Sequence, residues 1–226
     1  MNFDTQNWNL KKALTNILPA DTNFIDLKKD EGQLLKEMKA KTRYNIRLSR
    51  RKGVRVKRGS FKDMDIWNAL YRETCARNGM CLPNRGYFRA VLDASAGERE
   101  SGADVELLIA ENAGRPVAAM FLVISGNRAT YLYGASSSTQ RKYMPAYALQ
   151  WHAIKLAKSR GCTEYDMFGL APHPNPAHPL YGLYRFKTGF GGTLFHRLGC
   201  WDYPFDQRKY EMYRAAEMTN DVCALT

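Results

Sequence analysis

"VELLIAENAGRPVAAMFLVISGNRATYLYGAS", residues 105–136, decides the fold. Three apolar runs, "VELLIAE", "PVAAMFLVI" and "RATYLYGAS", are separated by short turns built on "NAG" and "SGN". Connections this short pair consecutive runs antiparallel, so the stretch reads as a β-meander. Next comes "PAYALQWHAIKLAKSRG", an amphipathic helix with Pro145 in its first turn and Gly161 past its end. "TEYDMFGL" then reads as a buried strand, the Pro-rich "APHPNPAHP" as a loop, "LYGLYRFK" as a short helix and "GTLFHRLGCWDYP" as a last strand.

Three antiparallel strands, a helix, a strand, a helix and a strand make a mixed α/β sheet. That order of elements is the one found in the GNAT acyltransferase fold. Upstream, "FIDL" is strand-like, and Asp30 with Gln33 has the spacing of a capping box. The box opens "EGQLLKEMKAKTRYNIRLSRRKG", one long helix or two short ones meeting near Lys41 and closed by Gly53. "VRVKRG" alternates like an edge strand, and a helix over residues 63–78 is expected to be capped by Asp63.

The net charge of +12 is local: residues 28–62 hold 14 Lys/Arg against three acids, +11 in all. A segment that carries nearly all the charge is a candidate footprint for a polyanion. Arg43, Arg47 and Arg50, at i, i+4 and i+7, share a helix face and are the expected RNA-binding residues, while Tyr44 and Leu48 face elsewhere. The bland alternative is a solvated helix face.

The longest apolar run, Val117 to Ile124, is far short of a bilayer span, and "MNFDTQNWNLKK" has no signal-peptide core. A cytoplasmic protein without stable membrane insertion is expected. Five scattered cysteines without a CxxC pair read as reduced thiols. His173 and His178 lack a fixed third ligand, so no metal is expected. No G-x-S-x-G elbow or Cys/His pair offers a nucleophile. Asp166, at a strand end, reads as a base or as a structural hydrogen-bonding group.

In many GNAT proteins a glycine lets the backbone approach a coenzyme pyrophosphate at the start of the long helix. Here "QRKYMPAY" places Met144 at that position, with Arg141 and Ala146 at the ends. A side chain there crowds the phosphate, which disfavours an acyl-CoA donor. "YRFKTGFGG", residues 184–192, sets Lys187 between an aromatic and a glycine run. Alone, it reads as a surface charge beside a bend.

"KTRYNIRLSRRKGVRV", "YLYGASS", "MPAYALQWHAIKLAKSRGC", "YDMFGL" and "HPLYGLYRFKTGFGG", in this order, resemble the Fem-type peptidoglycan aminoacyltransferases (FemA, FemB, FemX). The resemblance runs from Thr22 to Tyr213, roughly 85% of the chain. It implies a GNAT-like fold and transfer of an aminoacyl group from aminoacyl-tRNA to an amine on a peptidoglycan-precursor stem peptide, with no cofactor. It also implies catalysis by Lys187 and Phe186, and precursor contacts from Arg141, Tyr143 and Tyr147. Family members usually carry two copies of the fold. The expected division is therefore a remnant of a preceding domain plus a basic helical arm over 1–53, and a GNAT-like domain over 54–226. A first domain or partner chain is implied to supply the remaining acceptor contacts. The alternatives are an acyl-CoA-dependent N-acyltransferase and a noncatalytic tRNA- or precursor-binding module.

Overall fold

The structure, a computed structural model, describes residues 8–93 and 102–219. In chain order its elements are β1 (Lys11–Lys12), β2 (Asp21–Asp26), α1 (Glu31–Glu37), α2 (Ala40–Arg51), β3 (Val54–Arg58), α3 (Met64–Asn78) and α4 (Arg85–Asp93). There follow β4 (Ala103–Asn112), β5 (Arg115–Ser125), β6 (Arg128–Ser136), α5 (Pro145–Ser159), β7 (Glu164–Asp166), α6 (Tyr181–Lys187), β8 (Thr193–His196), β9 (Trp201–Asp202) and α7 (Gln207–Thr219).

Seven strands form one mixed sheet in the order β3-β4-β5-β6-β7-β2-β8, and β1 pairs with β9 apart from it. The meander is as expected: β4 pairs antiparallel with β5, and β5 with β6. "VRVKR" is the edge strand, bonded only to β4. In β4 the apolar residues serve both faces. Leu108 and Ala110 pack with Leu149, Ala153 and Ala157 of α5, while Leu107 and Ile109 pack with Trp67 and Phe88 of α3 and α4. A strand covered on both sides needs no polar alternation, which explains the unbroken apolar runs.

The sheet draws on both sides of position 53. β2 lies between β7 and β8, antiparallel to both, with Phe24 opposite Asp166 and Thr193. The capping box at Asp30 forms as expected, and the basic segment is two helices that break at Met38–Lys39, since Met38 is extended. Two local expectations are corrected. Asp63 does not cap α3: its carboxylate accepts the Ser60 N–H at 2.9 Å and closes the 3₁₀ turn Phe61–Asp63. "GTLFHRLGCWDYP" is two short strands in different sheets, β8 and β9. Among the described residues Cys75, Cys162 and Cys200 are free thiols. Among the described residues no helix is long and apolar enough to cross a membrane.

Candidate active site at the parting of β6 and β7

β6 and β7 are parallel neighbours for three pairs only, Arg128–Glu164, Ala129–Tyr165 and Thr130–Asp166. β6 continues to Ser136, whereas β7 stops at Asp166. The stop has a local cause. Asp166 accepts the Phe168 N–H at 2.8 Å, and Phe168 takes a left-handed backbone, φ 56°. A bulky residue rarely sits there, and it turns the chain out of the strand. The expected strand "TEYDMFGL" is shortened for this reason. Past Thr130–Asp166 the two strands are no longer paired.

Lys187 lies where they part, between Tyr131 of β6 and the turn after β7. It is the last residue of α6 and only 5% exposed. Its Nζ donates to the carbonyls of Phe168 at 3.0 Å and Gly169 at 2.6 Å, and lies 5.2 Å from the centre of the Tyr131 ring. Lys187 is thus a buried, oriented amine, not the surface charge its local sequence suggests. Burial pushes its pKa down to about 7, and the neighbouring Asp166 carboxylate pulls the other way. An ammonium has three donors, of which two are used here; a neutral amine in the same pose has a free lone pair.

The glycines of "TGFGG" permit close approach. A Cβ on Gly189 would lie 2.5 Å from Thr42 Oγ1 of α2, and one on Gly192, at φ 89°, would strike the Phe24 carbonyl. Lys39 N–H donates to Gly189 O at 2.9 Å, and Asn23 Nδ2 donates to Gly191 O at 2.6 Å. The basic helices therefore dock on the turn that follows Lys187.

Phe186 and Tyr147 are brought together. Their rings meet edge to face at 5.1 Å, and Phe190 packs against both. These contacts fix the end of α6 on α5. Tyr143 is half-buried against the same core, with Lys142 Nζ 5.4 Å from its ring centre. Arg141 is exposed, in the short 3₁₀ turn before α5. It sits close enough to Arg77 to lower that guanidinium's pKa, after burial, which is the larger cause. Arg77 itself is tied to Ser136 O and Ser138 Oγ, both at 3.0 Å. Met144 takes the left-handed backbone expected of a glycine, φ 55°, while keeping its side chain.

The three arginines separate. Arg43 is turned inward and donates to Leu35 O, Lys36 O and Met38 O, closing the C-terminal end of α1. Arg47 and Arg50 are exposed. The buried face of α2 carries Thr42, Asn45 and Ser49, with Ile46 packed beside them against the core. Opposite that face stand Arg47, Arg51 and Tyr44, the last 54% exposed with the Arg51 guanidinium 5.9 Å from its ring centre. Sequence reasoning missed Tyr44 and Arg51; the i, i+3, i+7 spacing was the available signal.

Asp166 is 3% exposed and fully engaged, with Thr22 Oγ1 and the Phe168 N–H on one oxygen and Arg197 at 2.8 Å on the other. His178 accepts the Leu180 N–H, and no group of three metal-ligating side chains occurs among the described residues.

The FemAB family matches residues 7–100 and 95–218. A lipid II:glycine glycyltransferase of Staphylococcus epidermidis is 24% identical over 253 residues, covering 87% of this chain and 61% of the relative. One from Staphylococcus aureus is 35% identical over 91 residues, 40% of this chain and 22% of the relative. The chain thus spans about three-fifths of the length of the curated relatives it matches. The crystal structure of FemX superposes with a TM-score of 0.78 at 20% identity, over 90% of this chain and 67% of that one. The C-terminal domain of a putative lysylphosphatidylglycerol synthetase from Agrobacterium fabrum gives 0.58 at 13% identity, over 92% and 66%. With both halves of the sequence matched, and a mixed sheet shared with FemX, the chain belongs to the FemAB family.

Proposed function

We propose that this chain carries the transfer centre of a FemAB-type aminoacyltransferase, moving an aminoacyl group from aminoacyl-tRNA to an amine of a peptidoglycan-precursor stem peptide. The observation that carries the reading is the buried amine of Lys187, held by two backbone carbonyls where β6 and β7 part. The relatives' name, lipid II:glycine glycyltransferase, supports the acceptor class.

The chemistry asks little of the protein. An aminoacyl ester is already activated, so no cofactor is required. The acceptor nitrogen bonds to the ester carbon, the tetrahedral oxyanion collapses, and the C–O bond to the ribose breaks. The ribose oxygen leaves with the proton that the amine gives up. Positioning and oxyanion stabilisation supply the rate. Lys187, as an ammonium, offers its third N–H to the oxyanion, and its two carbonyl bonds keep it from swinging away. Phe186, with Tyr147 and Phe190, holds that helix end in place. Arg141 and Tyr143 are assigned to the precursor, with the phenol of Tyr147. Arg47, Arg50 and Arg51 are assigned to RNA phosphates, with Tyr44 as a stacking surface. The remaining length of the relatives is assigned the other acceptor contacts.

The test is single-turnover transfer from aminoacyl-tRNA to lipid-linked and nucleotide-linked precursors, with the chain alone and with a relative's missing segment supplied. Transfer that requires Lys187 supports the reading. RNA and precursor binding with no transfer in either format leaves a noncatalytic module. Protection against thermal unfolding by coenzyme A, with no effect of tRNA, points to the acyl-CoA enzyme instead.

A further inference from the structure

Lys187 is held by a turn, and the turn is held by one carboxylate. Phe168 and Gly169 present their carbonyls to Nζ only because Phe168 is left-handed. That backbone state is uncommon for an aromatic residue and needs a local bond to favour it. The bond is Phe168 N–H to Asp166 Oδ1, 2.8 Å. The same oxygen accepts from Thr22 Oγ1, on β2, and Oδ2 is paired with Arg197 at 2.8 Å. Three elements thus converge on one buried carboxylate.

We infer that Asp166 is the positioning residue of this centre: fixed by Thr22 and Arg197, it locks the left-handed turn whose carbonyls grip the Lys187 amine. Its second effect is electrostatic. The groups packed about Lys187 among the described residues are the two carbonyl dipoles, the Tyr131 ring, Asp166, and Arg197 behind Asp166. Tyr131 is neutral, burial pushing its phenol up to about 12. Within that set Asp166 is then the anion opposing the loss of the lysine's proton on burial.

The part played by Lys187 in transfer rests on the reading above; the link from Asp166 to Lys187 does not, and the experiment separates them. The intact chain, carrying ¹³Cε-labelled lysine, is titrated by NMR, with the Lys187 signal identified by its loss in Lys187→Met. Asp166→Asn keeps an acceptor for the Phe168 N–H and removes the charge. The Lys187 pKa is expected to fall by about one unit or more, as for loss of an opposite charge within about 6 Å. Arg197→Gln leaves Asp166 less neutralised and is expected to move the pKa upward, which keeps the test decisive if Asp166→Asn fails to fold. A Lys187 pKa unmoved in both variants overturns the inference and leaves Asp166 a structural residue. In an active preparation, the pH limb of transfer follows the NMR shift. A shifted pKa with an unshifted limb upholds Asp166 as positioning residue and sinks the catalytic reading of Lys187.

Discussion

Lys187 and the arginines of α2 carry the same unit charge in opposite surroundings. Arg47 and Arg50 stand in water, where a charge is inexpensive, mobile and screened by salt. Lys187 is walled in by Tyr131 and two carbonyls, where its charge is costly and fixed and its pKa is pushed down to about 7. Residues 28–62 carry +11 of the net charge of +12, whereas the single desolvated Lys187 has its pKa pushed down to about 7. Number suits attraction of a polyanion at a distance; desolvation suits chemistry at a point.

The most severe way to break this contrast is Lys187→Met, which keeps the stem and removes the nitrogen. Removing one oxyanion donor costs about 2.7–4 kcal/mol, so single-turnover transfer should fall by roughly a hundred- to a thousand-fold, with tRNA affinity changed by far less. Transfer within a few-fold of wild type sinks the catalytic assignment.

The same variant sharpens the comparison by pH. The folded pKa, about 7, lies below the ordinary lysine value of 10.5, so between these pH values the unfolded chain holds a proton that the folded one has released. Stability therefore rises with pH across that window, each pH unit between the two values being worth about 1.4 kcal/mol, and the penalty is fully present below pH 7. Denaturant unfolding from pH 6 to 10 should show this rise in the wild type and lose that component in Lys187→Met. Parallel profiles in the two proteins mean that the amine is hydrated and ordinary.

At the joint between the two regions, Gly189→Ala adds a methyl 2.5 Å from Thr42 Oγ1. Overpacking of this kind costs about 1–3 kcal/mol. In a Thr42→Ala background the nearest obstacle, the Oγ1 atom, is gone and most of the cost should vanish. Equal costs in both backgrounds argue against this clash.

The smallest effects divide the arginines. Arg43→Gln should lower stability by about 1–2 kcal/mol through the unmet carbonyls of α1, with little change in RNA binding. Arg47→Gln, Arg50→Gln and Arg51→Gln together should leave stability within about 0.5 kcal/mol and flatten the salt dependence of tRNA binding, by about 0.7–0.9 in slope for each phosphate no longer neutralised. Should Arg43→Gln reduce RNA affinity as much as the triple variant, the inward and outward roles are wrongly drawn.

How much of this is legible follows from how local each signal is. The meander, α5 and the capping box at Asp30 are written in contiguous residues, and Pro145 and Gly161 punctuate them. The insertion of β2 between β7 and β8 pairs residues about 140 and about 170 positions apart, with nothing in "DTNFID" to announce its neighbours. The buried residues of α2 are two hydroxyls and an amide beside Ile46, a weak apolar stripe, and the inward turn of Arg43 rests on carbonyls outside its own helix. Lys187 stands out by resemblance. Its burial is not legible, since a lysine ending a short helix beside glycines is ordinarily solvated, and the carbonyls that hold it come from a turn made by Asp166.

The closeness at Gly189 has a further consequence. Thr42 and Lys39 of the basic helices touch the backbone two residues beyond the buried lysine, with no space for even one more carbon. A joint without slack transmits displacement in both directions. If an anion that binds α2 shifts this helix and so alters the setting of Lys187, then by reciprocity the protonation of Lys187 alters the affinity of α2 for that anion. Isothermal titration of an anion in buffers of differing ionisation enthalpy tests this: binding coupled to Lys187 takes up or releases protons, and binding without proton exchange shows that the joint does not transmit.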